Sequence, residues 1–121
     1  MPGLAERGIV NGEMWIGFIG HCDAASMTHV NDFEEAVLAL LPRYGATALA
    51  RARRRRDQPD ALPAELQILH FPSRDAYRAF LDDPDRQALL DRFGDVFTER
   101  IVVELEPPLL DVGRSQPDDD T

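Results

Sequence analysis

Cysteine is almost absent from this sequence, because Cys22 is the only one among 121 residues. An intrachain disulfide is therefore excluded, and a reducing compartment is the expected location. Long apolar runs are also missing: none approaches the ~18 residues of a membrane-spanning helix, and the first residues lack the apolar segment of a secretion signal. We therefore predict a cytoplasmic protein with no membrane partner.

Positive charge is scarce as well. Thirteen basic side chains stand against 22 acidic ones, which gives a formal net charge of −9. Such a surface repels the phosphates of nucleic acids, so we expect no nucleic-acid partner. The sequence contains neither a phosphate-binding glycine loop nor a serine nucleophile elbow, which leaves phosphoryl transfer and serine hydrolysis without support.

What is present is the composition of one folded domain. Apolar residues make up 44% and charged residues 29%, values typical of a globular protein, and a chain of this length has room for one core. We predict a flexible lead-in at residues 1–13, a domain at 14–106 and an acidic, proline-containing tail at 107–121.

The spacing of apolar residues predicts strands and helices in the order βαββαβ. The strands are expected at residues 14–20, 46–53, 65–71 and 96–105. The first helix is predicted to begin at Asn31, which has Glu34 at the capping-box spacing, and to end near Leu41. Ser73 is expected to cap the second helix, and Asp83, which precedes a proline, is expected to restart it.

The second predicted strand is rich in alanine. Strict alternation would place one set of side chains on one face, namely Ala46, Ala48, Ala50 and Ala52. The other face would then carry Thr47, Leu49, Arg51 and Arg53. Because small side chains let a helix approach closely, we expect a helix to pack over the alanine face.

This order of elements is typical of a ferredoxin-like α+β sandwich, in which four antiparallel strands have the spatial order 4-1-3-2 and both helices cover one face. The central strands are apolar on both sides, and a soluble protein rarely leaves a large apolar face bare. We therefore expect a homodimer in which a second copy covers that face. A gap between the sheets, or between sheet and helix, would be the natural ligand cavity.

Three segments resemble a known family: Arg43-Tyr44-Gly45-Ala46 after the first helix, Leu66-Gln67-Ile68-Leu69-His70-Phe71-Pro72-Ser73-Arg74 at a strand-to-helix corner, and Asp83-Pro84-Asp85-Arg86-Gln87-Ala88-Leu89 at the helix restart. From Met14 to Glu106 the chain is similar to the dimeric α+β barrel superfamily, and most similar to its domain-of-unknown-function family 1330. The resemblance implies two ferredoxin-like subunits that pair as a barrel. The superfamily includes monooxygenases, isomerases and haem-degrading proteins that act within such a barrel.

Antiparallel order predicts a rim of the sheet where polar residues from all four strands meet: Trp15, Thr47, His70 and Glu104. His70 there could act as a general base oriented by Glu104, beside the aromatic wall of Trp15. A histidine just before a Phe-Pro corner is more often a hydrogen-bonded structural residue. Tyr44 and Arg51 are further candidates for contact with a ligand.

The opposite rim is predicted to contain His21, Cys22 and Asp23, about 20 Å from His70 along the strands. A single site shared by His21 and His70 is therefore not expected. Because the short repeated spacing of a zinc site is missing even when His29 is included, we expect no metal and no other cofactor. Cys22 next to Asp23 is expected to be a resting thiol.

An arginine block formed by Arg51 and residues 53–56 could bind an anionic ligand or the acidic tail of a partner. The pattern is more typical of a solvated hairpin end.

Two functional hypotheses from different classes remain open at this point. The favoured one is a homodimer that binds a small organic ligand in a cavity beside the sheet, because the polar residues form no coherent catalytic set. The alternative is a small cofactor-light enzyme of the monooxygenase or isomerase type, with His70 as general base.

Overall fold

The computed structural model describes residues 12–109 of the protein. The predicted lead-in and tail therefore lie almost entirely outside the described residues. The elements, in chain order, are β1 (Met14–His21), α1 (Met27–Leu38), β2 (Thr47–Arg53), β3 (Glu65–Phe71), α2 (Arg74–Leu81), α3 (Pro84–Phe93) and β4 (Glu99–Leu105). Within residues 12–109, no helix is both long enough and apolar enough to cross a bilayer.

The four strands form one antiparallel sheet in the order β2-β3-β1-β4. This is the predicted ferredoxin-like order, and the α+β class is confirmed. The three helices cover one face, on which β3 buries Glu65, Gln67, Leu69 and Phe71. Aromatic and aliphatic side chains from α1 and α2 complete the core, among them Phe33, Val37 and Phe80.

The other face of the sheet is bare in the single chain. It exposes large apolar side chains from β3 and β4, with exposed fractions between 36% for Leu105 and 48% for Leu66. The set comprises Leu66, Ile68, Ile101, Val103 and Leu105. We call these residues, together with their neighbours on that side of the sheet, the open face.

The first helix begins earlier than predicted, so the assignment of Asn31 as its cap is wrong. A 3-10 turn at Ala24–Ser26 precedes α1, and the Asp23 carboxylate accepts a hydrogen bond from the Ser26 amide at 3.0 Å. The earlier start adds the turn that carries Val30, which is only 1% exposed. Burial of that side chain favours the longer helix over one that starts at the capping box.

The second strand contains a bulge that inverts its predicted alternation. Ala48 lies opposite Leu69 but Ala50 lies opposite Ile68, so Leu49 is an extra residue on this strand. Beyond the bulge the two faces exchange: Ala50 and Ala52 lie on the open face. Arg51 lies opposite Gln67 on the helical side instead. The predicted helix contact along an alanine face is therefore wrong.

The restart of the second helical region at Asp83 is confirmed, and this residue also connects the region to the 3-10 turn Leu41–Tyr44 that follows α1. The Asp83 side chain is buried and accepts hydrogen bonds from the amides of Asp85 and Arg86. It also accepts one from the Tyr44 hydroxyl, and Arg43 Nη1 donates to both of its oxygens, at 3.0 and 3.3 Å. Together, and with the Tyr44 hydroxyl first among the causes, these hydrogen bonds lower the pKa of Asp83 to about 2.

We predict that Asp83→Asn lowers the melting temperature at neutral pH, because asparagine can still cap the helix but cannot carry the charge that faces Arg43. A carboxyl group with a depressed pKa stabilises the fold above the unfolded value of 3.8, and this stabilisation is lost as pH falls towards about 2. The deficit of the variant should therefore shrink across that range. Thermal unfolding at several pH values, with exposed Asp82→Asn as control, measures it. An equal deficit at pH 7 and pH 2 would contradict this account.

Candidate functional site

A cavity of about 100 Å³ lies between the helices and the sheet, on the face opposite the open face. Its walls are mostly apolar and come from β1, β3, β4, α1 and α2: Ile16, Phe18, Phe33, Val37, Leu38, Leu69, Tyr77, Leu81 and Val102. Four charged or amide side chains also line it: Glu34, Gln67, Arg86 and Arg100. An apolar cavity with a few converging polar groups is the usual form of a small-molecule site. We call it the helix–sheet cavity.

The polar groups at the base of the cavity form a buried hydrogen-bond network. The Gln67 side-chain amide donates to Glu34 Oε1 at 2.9 Å and to Glu65 Oε2 at 2.6 Å. Arg51 then binds Glu65 with two hydrogen bonds, of 2.6 and 3.1 Å, and donates a further one to Asn31 at 3.2 Å. One amide group therefore joins a carboxyl group in the cavity to an arginine at the sheet edge.

Burial shifts the pKa of two groups in this cavity. Desolvation raises the pKa of Glu34, and the nearby Glu65 carboxylate acts in the same direction, although the hydrogen bond from Gln67 opposes both. Desolvation also lowers the pKa of Arg86, whose Nε is buried and has no acceptor within residues 12–109. The cavity therefore combines a carboxyl group with a raised pKa and a guanidinium that has an unused donor.

Three of the predicted site residues meet at the rim of the open face. Trp15, His70 and Thr47 are cross-strand neighbours on β1, β3 and β2. The ring centroids of Trp15 and His70 are 4.4 Å apart. The carboxylate partner of His70 is Glu13, whose Oε1 lies 3.0 Å from His70 Nε2. The residue before β1 therefore fills the place that was predicted for Glu104.

Glu104 does not take part in this cluster, so its predicted role beside His70 is wrong. It lies opposite Ile16, whose side chain is buried beneath the helices, and it forms an ion pair with Arg74 at 2.9 Å. The rim was predicted correctly, but residues at one rim belong to one cluster only when they also share a face. Strand parity separates Glu104 from His70.

The other two predicted ligand contacts lie away from that rim. Tyr44 packs edge-to-face against Phe80 and donates its hydroxyl hydrogen bond to Asp83. Arg51 lies at the opposite end of the sheet, in the network below the cavity. The structure therefore does not bring Tyr44 or Arg51 to the rim that holds His70.

The cysteine and the remaining histidines stay apart. Within residues 12–109, no three histidine, cysteine or acidic side chains are placed together as a metal site would require. Cys22 is buried, and desolvation first, then the negative charge of Asp23 and other carboxylates, raise the pKa of its thiol. His29 Nε2 lies 3.1 Å from the carbonyl oxygen of Phe93.

The residues that line the base of the cavity were not predicted from the sequence, although their positions carried a signal. Gln67 lies two residues before the buried Leu69 and four before the buried Phe71, so the alternation of β3 assigns it to the same, helical face. Glu34 continues the helical spacing Val30, Phe33, Glu34, Val37, all four of them buried. The pattern was hidden because the helix was predicted to begin after Val30.

Comparison with solved structures supports the fold. A protein of unknown function from Bacteroides fragilis, described as dimeric and ferredoxin-like, has a TM-score of 0.59 at 15% identity over 78% of this chain and 96% of its own. A suggested antibiotic biosynthesis monooxygenase from Bacteroides thetaiotaomicron reaches 0.64 at 12% identity, over 82% and 91%. SnoaB, a cofactor-independent oxygenase from Streptomyces nogalater, reaches 0.54 at 14% identity, over 80% and 95%. These similarities show that the chain has a ferredoxin-like α+β fold.

The family follows from the sequence model that matches the chain. Residues 17–104 match the model of the domain of unknown function DUF1330, so the chain belongs to that family. This agrees with the resemblance seen in the three sequence segments. A comparison with curated proteins finds no match.

We predict that Glu34→Gln raises the melting temperature at neutral pH by a few degrees, because glutamine keeps the acceptor for Gln67 and removes a carboxylate that burial disfavours. The pKa of Glu34 is higher in the folded protein than its value of 4.5 in the unfolded chain. The group therefore stabilises the fold fully below pH 4.5, and this stabilisation is lost as the pH rises through the folded pKa. The advantage of the variant should therefore vanish below pH 4.5. Thermal unfolding from acid to neutral pH tests this. Exposed Glu35→Gln is the control, and an equal gain there would contradict the assignment.

Proposed function

We propose that this protein is a homodimer that binds a small organic ligand in the helix–sheet cavity of each subunit. The observation that carries the ligand proposal is the unused donor of Arg86 beside the buried Glu34–Gln67 pair. A buried donor without a partner costs roughly 1–3 kcal/mol. A ligand that brings an acceptor to Arg86 removes this cost.

The size of the cavity limits the part of the ligand that enters it. A volume of about 100 Å³ is smaller than the dry cavity of ~150 Å³ that binds benzene in another protein, so at most one ring of the ligand enters it. The apolar walls favour an aromatic ring, and Arg86 favours a carboxylate, phenolate or carbonyl oxygen on it. We infer that the ligand is a small aromatic compound with an acidic or carbonyl oxygen.

The bare sheet supports the homodimer. Five large apolar side chains are exposed together on the open face, and a patch of this kind is typical of an interaction surface. The two alanines that the bulge turns onto this face leave it without a charged residue along that part of β2. Related structures are described as dimeric. A second copy packed sheet against sheet would cover the patch.

We predict that Ile68→Glu produces monomers, because each copy would place a carboxylate in the apolar contact. Val102→Glu is the matched control, since Val102 is 52% exposed but lies on the helical side opposite Phe18. Sedimentation velocity at micromolar concentration should show a dimer for the wild type and for Val102→Glu, and a monomer for Ile68→Glu. A wild-type protomer that sediments alone at 13.6 kDa would refute the dimer.

For the ligand we predict that benzoate or salicylate binds the wild-type protein, and that Arg86→Gln weakens binding by about tenfold, the effect of one lost charge-assisted hydrogen bond. Calorimetry at millimolar ligand measures the affinity. Arg92→Gln on the same helix is the control, because Arg92 is exposed and does not line the cavity. Val102→Phe, which narrows the cavity, provides a second test if Arg86→Gln unfolds. Equal affinities for all four proteins would exclude this site.

A second candidate function is a small cofactor-light enzyme of the monooxygenase or isomerase type, with His70 as general base. Two observations favour it: the His70–Glu13 pair beside Trp15, and the similarity in fold to a cofactor-independent oxygenase. In this reading Glu13 orients the imidazole, and His70 removes a proton from a substrate that rests against Trp15. His70 and the helix–sheet cavity lie on opposite faces of the sheet.

This separation lets the same calorimetric experiment distinguish the two functions. His70→Gln should leave the affinity for benzoate unchanged if the cavity is the site. A substrate whose turnover is lost in His70→Gln and retained in Arg86→Gln would favour the enzyme at the rim.

A further inference from the structure

We propose that a second site, a cleft lined by arginines at the edge of the sheet, binds a small molecule that carries two or more phosphate or carboxylate groups. The cleft has a volume of about 640 Å³ and lies between the start of α1 and the end of β2. Its lining combines Arg51 and residues 53–56 with Ala24, Met27, Thr28 and Asn31. This site is distinct from the helix–sheet cavity, and the proposal does not depend on that cavity.

The bulge in β2 places two of these arginines on the helical side of the sheet. Arg51 and Arg53 lie opposite Gln67 and Glu65, whose side chains are buried beneath the helical layer. The cleft therefore opens on the helical side of the sheet, away from the open face. A second subunit packed on the open face would leave it accessible.

Two of the arginines are held in place by other groups. Arg51 is bound by Glu65 and Asn31. The Arg54 side chain is only 4% exposed and donates to the carbonyl oxygens of Asp60 at 3.2 Å and Leu62 at 2.8 Å. These contacts make the base of the cleft rigid, which lowers the entropy cost of binding.

The other three arginines are held less firmly. Arg55 forms an ion pair with Asp57 at the surface, at 2.7 Å. Neither Arg53 nor Arg56 has a carboxylate within ion-pair distance among the residues that the structure describes. Both arginines line the cleft, and the like charges of their guanidinium groups disfavour each other until an anion binds between them. The planar fork of each group matches one phosphate or carboxylate, which is why we infer at least two anionic groups on the ligand.

The charge of the whole chain makes this cleft unusual. All 13 basic residues are arginines, and five of them fall between positions 51 and 56 of a chain with net charge −9. An anion is therefore repelled by most of the surface and attracted to this one place. The volume is within the range of about 300–1,000 Å³ that is typical of small-molecule sites.

A small anion fits the cleft better than a nucleic acid does. Single-stranded nucleic acids are bound by aromatic side chains on which bases stack, and none of the described residues that line the cleft is aromatic. An extended strand would also run from the cleft onto an acidic surface.

Calorimetry with pyrophosphate and with citrate at physiological ionic strength tests the proposal and distinguishes phosphate from carboxylate ligands. We expect at least one of them to bind, and the double variant Arg53→Gln/Arg56→Gln to bind about tenfold more weakly or worse. The control Arg78→Gln/Arg92→Gln removes the same charge from exposed positions on α2 and α3. It should change the affinity by less than about twofold, because exposed charges this far away are screened.

Four results would overturn the proposal. If neither pyrophosphate nor citrate binds, the proposal is wrong. Equal losses of affinity in the two double variants would also overturn it, because they would indicate diffuse attraction alone. A short single-stranded DNA that binds more tightly than pyrophosphate would identify a nucleic-acid site instead. A clear gain in pyrophosphate affinity in Asp118→Asn/Asp119→Asn/Asp120→Asn would identify the acidic end of the chain itself as the occupant.

Discussion

The buried Glu65 carboxylate is the group on which the arrangement of both candidate sites depends. It is 1% exposed, and it is held by Arg51 from the neighbouring strand and by Gln67 two residues further along β3. A buried charge left without its partner costs about 3–5 kcal/mol, so Arg51 must lie on the helical side. That requirement determines which side chains of β2 face the helices. The same group of hydrogen bonds holds the Gln67 amide against Glu34 in the cavity and places Arg51 in the lining of the arginine cleft.

Most of the fold could be predicted because its signals are local and mutually consistent. The alternation in β1 and β3, the Ser73 cap and the Asp83-Pro84 restart are all observed in the structure. The start of α1 could not be read from its capping box, because burial of Val30 outweighs that local signal. The bulge at Leu49 could not be predicted, because β2 consists mostly of alanines and arginines and lacks the alternation of large apolar side chains that a bulge would interrupt.

The candidate sites were predictable only in part. Trp15, Thr47 and His70 meet because antiparallel order fixes which residues share a rim and parity places all three on one face. Glu104 shares the rim but not the face. The helix–sheet cavity was missed because its defining residues, Glu34 and Gln67, are polar side chains at positions where the spacing demands apolar ones. An apolar spacing pattern gives no weight to such residues, although a buried polar group among apolar neighbours is itself evidence of a site.

The single extra residue in β2 also decides which side chains the edge strand presents on the open face. With Leu49 present, Ala50 and Ala52 lie there. Deleting one residue at the bulge would exchange the two sides and place Arg51 and Arg53 on the open face instead, so a change that leaves the composition almost untouched would replace a smooth, uncharged strand with a cationic one.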